Sequence, residues 1–293
     1  MHVGDCRTVL PLMAENSVDA LVTDPPAGPV LTDIERSGIG NYQMYAGGLS
    51  KGAPRLGAHK GNVAEHRRAR DRFVAFATEC FTAVCRVLKP GGFGLVWATP
   101  KTSHWTSLAL DESGLEVRDV ISHVYPGARS RSTAKADVPP SIAGWNTALP
   151  QTLDHWILVR KPPIGPLLAN HARYGTGALN LPQWKDGANT IHAERATRAE
   201  RYGYCAACGT VVIAAAHRDH EVLTHPTPKG ILLMRALVRL VTPSGGIVLD
   251  PFAGAGATGV ACLRESVRFV GIEAVQTYAM IMQHRLQMEV SHA

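Results

Sequence analysis

Long apolar runs are missing from this chain of 293 residues, and with them any stretch that would cross a bilayer as a helix. The N-terminus also lacks a basic segment followed by an apolar core, so no secretory leader is expected. Cysteine is sparse and scattered, at positions 6, 80, 85, 205, 208 and 262, without the density or spacing of a disulfide framework. Most of these thiols should lie buried in a protein kept in the reducing cytoplasm. No internal repeat interrupts the pattern. What the chain does have is a hydrophobic content of 45%, enough to bury a large core in one domain, or in one domain carrying an insert. Lys and Arg number 30 against 24 Asp and Glu, and the isoelectric point is about 9.1. That excess favours a polyanionic partner.

The rest of the chain is organised around Val248-Leu249-Asp250-Pro251-Phe252-Ala253-Gly254-Ala255-Gly256-Ala257-Thr258. An apolar run closing on Asp-Pro reads as a buried strand stopped by a residue with no donor for the ladder. Gly254 and Gly256 then let the backbone approach a ligand where a Cβ would collide. A helix beginning at Thr258 would aim its free N–H groups into the same gap. A second strand, Val267 to Glu273, follows at the spacing of nucleotide-binding βαβ units, and its terminal acid is placed to accept hydrogen bonds from ribose hydroxyls.

Toward the N-terminus, Met1 to Asp5 reads as a short strand, Arg7 to Leu12 as a helix, and Ser17 to Thr23 as a second strand running into Asp24-Pro25-Pro26-Ala27. Two prolines stiffen that tip and remove two N–H donors, leaving carbonyls free to accept. Residues 28–65 have little periodicity, with Tyr42 and Tyr45 as their only aromatics, as in lids or flexible segments. The basic cluster His66-Arg67-Arg68-Ala69-Arg70-Asp71-Arg72 opens an amphipathic helix reaching about Leu88, with Lys89-Pro90-Gly91-Gly92 as its stop. That cluster suits either a solvated face or phosphate contacts. Phe93 to Ala98 is a buried strand and Ser103 to Ser113 a helix. Strands at Leu115 to Tyr125 and Asp154 to Arg160 are joined by a polar loop holding Arg129, Arg131, Lys135 and Pro139-Pro140. Beyond Lys161-Pro162-Pro163 the composition turns polar and basic up to about residue 222, without a core pattern, as in an insert. His225-Pro226-Thr227-Pro228-Lys229 then stiffens the start of a helix running to Leu240. Strands alternating with helices at both ends indicate a doubly wound parallel sheet.

Asp24-Pro25-Pro26 ahead of Asp250-Pro251-Phe252-Ala253-Gly254-Ala255-Gly256 resembles the DNA methyltransferases that methylate adenine N6 or cytosine N4. The order, catalytic tetrapeptide first and cofactor turn last, is similar to the circularly permuted β group, which includes many phage and prophage modification enzymes of restriction–modification type. The likeness covers nearly the whole chain, adding Gly4-Asp5-Cys6, Leu88-Lys89-Pro90-Gly91-Gly92 and His225-Pro226-Thr227-Pro228-Lys229.

The resemblance implies an α/β fold, a Rossmann-like S-adenosylmethionine-dependent methyltransferase sheet of seven strands with the last two forming an antiparallel hairpin. It divides the chain into a catalytic half (1–162), an inserted target-recognition region (163–222) and a cofactor-binding half (223–293). It implies that Asp24 and the Pro25 carbonyl grip the target's exocyclic amine, with Pro26 and Ala27 completing the tetrapeptide. S-adenosyl-L-methionine would be held by Asp5, Cys6, Thr227, Lys229, Asp250, Pro251, Phe252, Gly254, Gly256, Thr258 and Glu273. Of these, Asp5 would meet the adenine amino group, Glu273 the ribose, and Thr227 to Lys229 the amino-acid end. Double-stranded DNA with a flipped base is the implied partner, and a homodimer the implied assembly.

Ala27 departs from the pattern, in which the fourth residue is an aromatic stacked on the base. Such stacking is worth about 1–3 kcal/mol. Another ring, Tyr42, Tyr45 or Trp97, is therefore expected to substitute. Asp at the first position leans toward adenine. The competing readings are a DNA-binding protein on a disabled methyltransferase scaffold, and the same chemistry on RNA. Separately, Cys205-Ala206-Ala207-Cys208-Gly209 followed by His217 and His220 looks like a zinc knuckle, and a structural zinc would stabilise a module lacking its own core.

Overall fold

The computed structural model describes residues 1–26, 63–125, 141, 149, 151–184, 189–217 and 219–291. Ala27, Tyr42, Tyr45, Arg129, Arg131, Lys135 and Pro139-Pro140 lie outside them. In chain order the elements are β1 (His2–Val3), α1 (Cys6–Val9), β2 (Val18–Thr23), α2 (Val63–Val87), β3 (Leu88–Ala98), α3 (Ser103–Glu112), β4 (Glu116–Val124) and β5 (Leu153–Arg160). There follow α4 (Leu167–Tyr174), β6 (Thr190–His192), β7 (Tyr202–Cys205), β8 (Thr210–Ile213) and β9 (Leu223–Thr224). The last elements are α5 (Ile231–Val241), β10 (Ile247–Asp250), α6 (Ala257–Arg264), β11 (Arg268–Glu273) and α7 (Gln276–Ser291).

The main sheet has the order β1-β11-β10-β2-β3-β5-β4-β6. Only β5 runs against its neighbours, so β4 and β5 form the expected antiparallel hairpin. The sheet holds one strand more than expected. Thr190 to His192, from the polar stretch that reads as an insert, pairs parallel with Ser122 to Val124 and closes the edge as β6. Strands β7, β8 and β9 form a separate antiparallel sheet of three.

Apolar periodicity explains the layers. Phe73, Ala77, Cys80, Phe81, Val84 and Val87 of α2 recur every three or four residues and pack on one face of the sheet, with Leu21, Val96 and Ile157. On the other face Leu233, Met234, Leu237 and Val238 of α5, with Ala261 and Cys262 of α6, cover Ala20, Val22, Trp156 and Val248. Leu88, expected to close α2, is instead the first residue of β3. It is fully buried and paired with Val18, and the register shift between Val18 and Ala20 accommodates Lys89 to Gly92 as a bulge within β3.

Because α2 and α6 cover opposite faces, the winding reverses between β2 and β10, which pair side by side. A cleft outside the carboxyl ends of the strands forms at such a reversal. The turn after β10 depends on glycine. Gly256 sits at φ 78°, and a Cβ added there would lie 2.6 Å from Met282 Cγ and 3.2 Å from its Cα. Gly256→Ala is therefore expected to destabilise the fold by about 2–4 kcal/mol, from the left-handed backbone and overpacking together. Denaturant unfolding measures this, and a loss under about 1 kcal/mol would contradict the packing described.

Candidate active site

Five parallel strands deliver their carboxyl ends to one edge. Along it stand Asp5 after β1, Glu273 closing β11, Asp250 closing β10, Asp24 after β2 and Trp97 near the end of β3. Acids at successive tips form a row of acceptors on either side of the point where the winding reverses.

Asp250 ties the two central tips together. Its buried carboxylate accepts from Thr23 Oγ1 at 2.6 Å, from Thr258 Oγ1 at 2.5 Å and from the Phe252 N–H at 3.1 Å. Thr23 directly precedes Asp24, so one carboxylate fixes both the Asp-Pro-Pro tip and the glycine turn. Burial pushes Asp250 up to about 6, against the pull of the two hydroxyls. Asp250 and Thr258, both expected to hold the cofactor, bond to each other, and Asp250 bonds also to Thr23 and Phe252. Pro251 is buried, and the Phe252 ring stands 6.3 Å from that of Phe76.

Asp24 is half-buried and pairs with Lys229 through a very short contact of Nζ with Oδ2. The same ammonium lies 4.2 Å from the centre of the Trp97 ring. Burial raises the Asp24 carboxyl above the ordinary range, Lys229 opposes that rise, and the charge of Asp154 on β5 adds to it. Lys229, expected at the cofactor's amino-acid end, directs its ammonium to Asp24. Lys229 thus links the Trp97 ring to Asp24. Pro25 is buried, Pro26 half-buried, and Thr227 exposed.

Glu273 accepts from the Gly254 N–H at 2.7 Å through one oxygen and from the Val275 N–H at 2.8 Å through the other. Each oxygen keeps a further lone pair for a hydroxyl donor. Burial pushes this acid up to about 7. Its proton is therefore held more tightly in the fold than in the unfolded chain. The associated stabilisation is complete below about 4.5 and disappears as pH rises through about 7. Glu273→Gln should accordingly gain melting temperature relative to the wild type between pH 5 and pH 8. A difference that stays constant over that range would refute the assignment.

Close protein packing also requires glycine in this turn. A Cβ on Gly254, at φ 51°, would lie 2.9 Å from His225 Nε2. His225 packs edge-on against Tyr278 at 4.8 Å, and burial, with Lys229 and Arg285 nearby, pushes it down to about 3, so it stays neutral. Arg285, buried beneath the turn, donates to the Ala255 carbonyl at 2.6 Å. Asp5 reaches the same edge, but its carboxylate caps α1 through the Arg7 N–H and pairs with the Arg7 guanidinium at 2.7 Å, which holds it below the usual range. The Cys6 thiol is buried in the core, 3.6 Å from that of Cys80. Thr23, His225 and Arg285 carry no local signal, since each acts on a partner distant in sequence. Cys205, Cys208, His217 and His220 converge on the small sheet.

The donor and acceptor set suits S-adenosylmethionine. A carboxylate with spare lone pairs at one tip fits ribose hydroxyls, and the backbone of the adjoining glycine turn fits the rest of such a ligand. Comparisons with known proteins agree with this geometry. The DNA methylase family model (N6_N4_Mtase) matches residues 18–284. The chain is 25% identical to Type II methyltransferase M.HindIII of Haemophilus influenzae over 94% of this chain and 90% of that protein. Over 65 residues it is 42% identical to Type II methyltransferase M2.DpnII of Streptococcus pneumoniae, 22% of this chain and 24% of that one. The match thus spans about a quarter of such higher-identity relatives. The fold is similar to that of TTHA0409 from Thermus thermophilus complexed with S-adenosyl-L-methionine, with a TM-score of 0.58, 19% identity, and 99% and 93% of the two chains covered.

Proposed function

The chain belongs to the DNA methylase family, and from that premise we propose that it transfers a methyl group from S-adenosylmethionine to an exocyclic amine of a DNA base. Adenine N6 is the favoured target over cytosine N4. The observation that supports this reading is the coupling of the Asp24 strand tip to the glycine turn through Thr23 and Asp250. Asp24 leads and the cofactor turn trails along the chain, the order of the permuted β group.

The bound cofactor supplies a methyl group activated by a sulfonium. The protein supplies the rest. An exocyclic amine has its lone pair delocalised into the base ring and is a poor nucleophile. The Asp24 carboxylate and the Pro25 carbonyl accept its two hydrogens and turn the nitrogen toward sp³ geometry. Positioning of that kind contributes several kcal/mol, and an acceptor facing positive charge developing on nitrogen adds electrostatic stabilisation. Burial, which raises Asp24, makes it a better acceptor for the proton that leaves. Trp97 offers a flat face next to the amine. The base leaves the duplex to reach this edge, at a cost of a few kcal/mol.

Arg67 and Arg68 are exposed in the first turns of α2, which starts at the carboxyl edge because it joins two parallel strands. They supply phosphate contacts on the site's own side. The region from 163 to 222, which carries β7 and β8 of the separate sheet, reads the target sequence. Incubation with labelled S-adenosylmethionine and mixed-sequence duplex DNA, followed by digestion to nucleosides, tests the proposal. Label in N6-methyladenine is expected, and N4-methylcytosine would reassign the base. No label despite intact cofactor binding would instead leave a DNA-binding scaffold.

A further inference from the structure

The turn joining β7 to β8 carries Cys205 and Cys208, with Gly209 at φ 66° closing it tightly. The loop leading to β9 carries His217 and His220. One ligand atom from each of the four lies within 4.8 Å of all the others. Cys208 Sγ is 3.6 Å from His217 Nε2 and 3.3 Å from His220 Nδ1. With Zn–S about 2.3 Å and Zn–N about 2.0–2.1 Å, tetrahedral angles separate sulfur from nitrogen ligands by about 3.6 Å. The Cys208 sulfur and the two imidazole nitrogens are already close to that spacing.

The surrounding fold needs such a tie. Strands of four, four and two residues make a sheet too small to be stable alone. Its only apolar cluster among the described residues is formed by Tyr202, Tyr204 and Val211 against Ala255, Tyr278 and Ile281, beside the cofactor turn. Strand β9 pairs with β7 through Leu223 and Thr224. It passes directly into His225, against Gly254, and then to Lys229, on Asp24.

We infer that Cys205, Cys208, His217 and His220 hold one structural zinc ion, and that this ion anchors the segment carrying His225 and Lys229 to the active edge. The functional weight of the anchor rests on the methyl-transfer reading; the metal site does not.

Elemental analysis of the full chain, purified without chelator, should find about one zinc per chain for a single four-ligand site. Cys208→Ser and His220→Ala, both at exposed side chains, should each lower the zinc content at least tenfold, whereas Cys85→Ser should leave it unchanged. Replacement by Co(II) should give the intense visible bands of a tetrahedral thiolate site. Stripping the zinc should lower the melting temperature by about 5 °C. A metal-free chain, or zinc content indifferent to Cys208→Ser and His220→Ala, would overturn the site. A melting temperature unmoved by chelation would overturn the anchor. None of these readouts requires turnover, so their failure is distinct from failure of the methyl-transfer reading.

Discussion

Asp24→Ala should lower methyl transfer by about a thousandfold or more while leaving S-adenosylmethionine affinity within a few fold. Removing one preorganised group that faces developing charge costs about 10²–10³ in rate, and the lost orientation of the amine adds to that. Cofactor affinity should survive because the glycine turn is held by Asp250, Glu273 and Arg285, none of which bonds to Asp24. Asp24→Asn, which keeps the shape and one acceptor, should fall between. Equilibrium titration and single-turnover transfer on the same samples separate the two effects. A fully active Asp24→Ala variant would remove Asp24 from the chemistry. Lost cofactor binding would show instead that the strand tip had collapsed.

Lys229→Met should lower kcat/KM at neutral pH, with the loss shrinking as pH rises. Methionine keeps the stem beside the Trp97 ring but removes the charge that opposes the burial-driven rise of the Asp24 carboxyl. The higher that acid rises, the smaller its ionised fraction at a given pH, so the acid limb of the pH–rate profile should move to higher pH. A loss equal at every pH would assign Lys229 to binding rather than to keeping Asp24 ionised.

The strand tips were legible because local chemistry punctuates them. Proline after Asp24 and Asp250, and the left-handed glycines at 254 and 256, stop a strand wherever the rest of the chain goes. Apolar periodicity likewise marked α2 and α5. What escaped depends on the order of strands in the sheet, which short-range pattern does not carry. Thr23 and Asp250 are 227 residues apart, and Lys229 and Asp24 are 205 apart. Their pairing follows only once β2 lies beside β10. Nor does local pattern show that His225 and Met282 fill the space a Cβ on Gly254 or Gly256 would need. The pairing of β6 with β4 was hidden by brevity, since three residues show no alternation.

The most direct measurement is a crystal structure of the chain with a non-reactive S-adenosylmethionine analogue and duplex DNA containing its target. The target nitrogen should accept no bond from Lys229, should donate to the Asp24 carboxylate and the Pro25 carbonyl, and should lie about 3–3.5 Å from the position of the transferred carbon. A complex in which Asp24 stays closed on Lys229, with the base or the analogue seated away from the Gly254–Gly256 turn, would contradict the proposed chemistry.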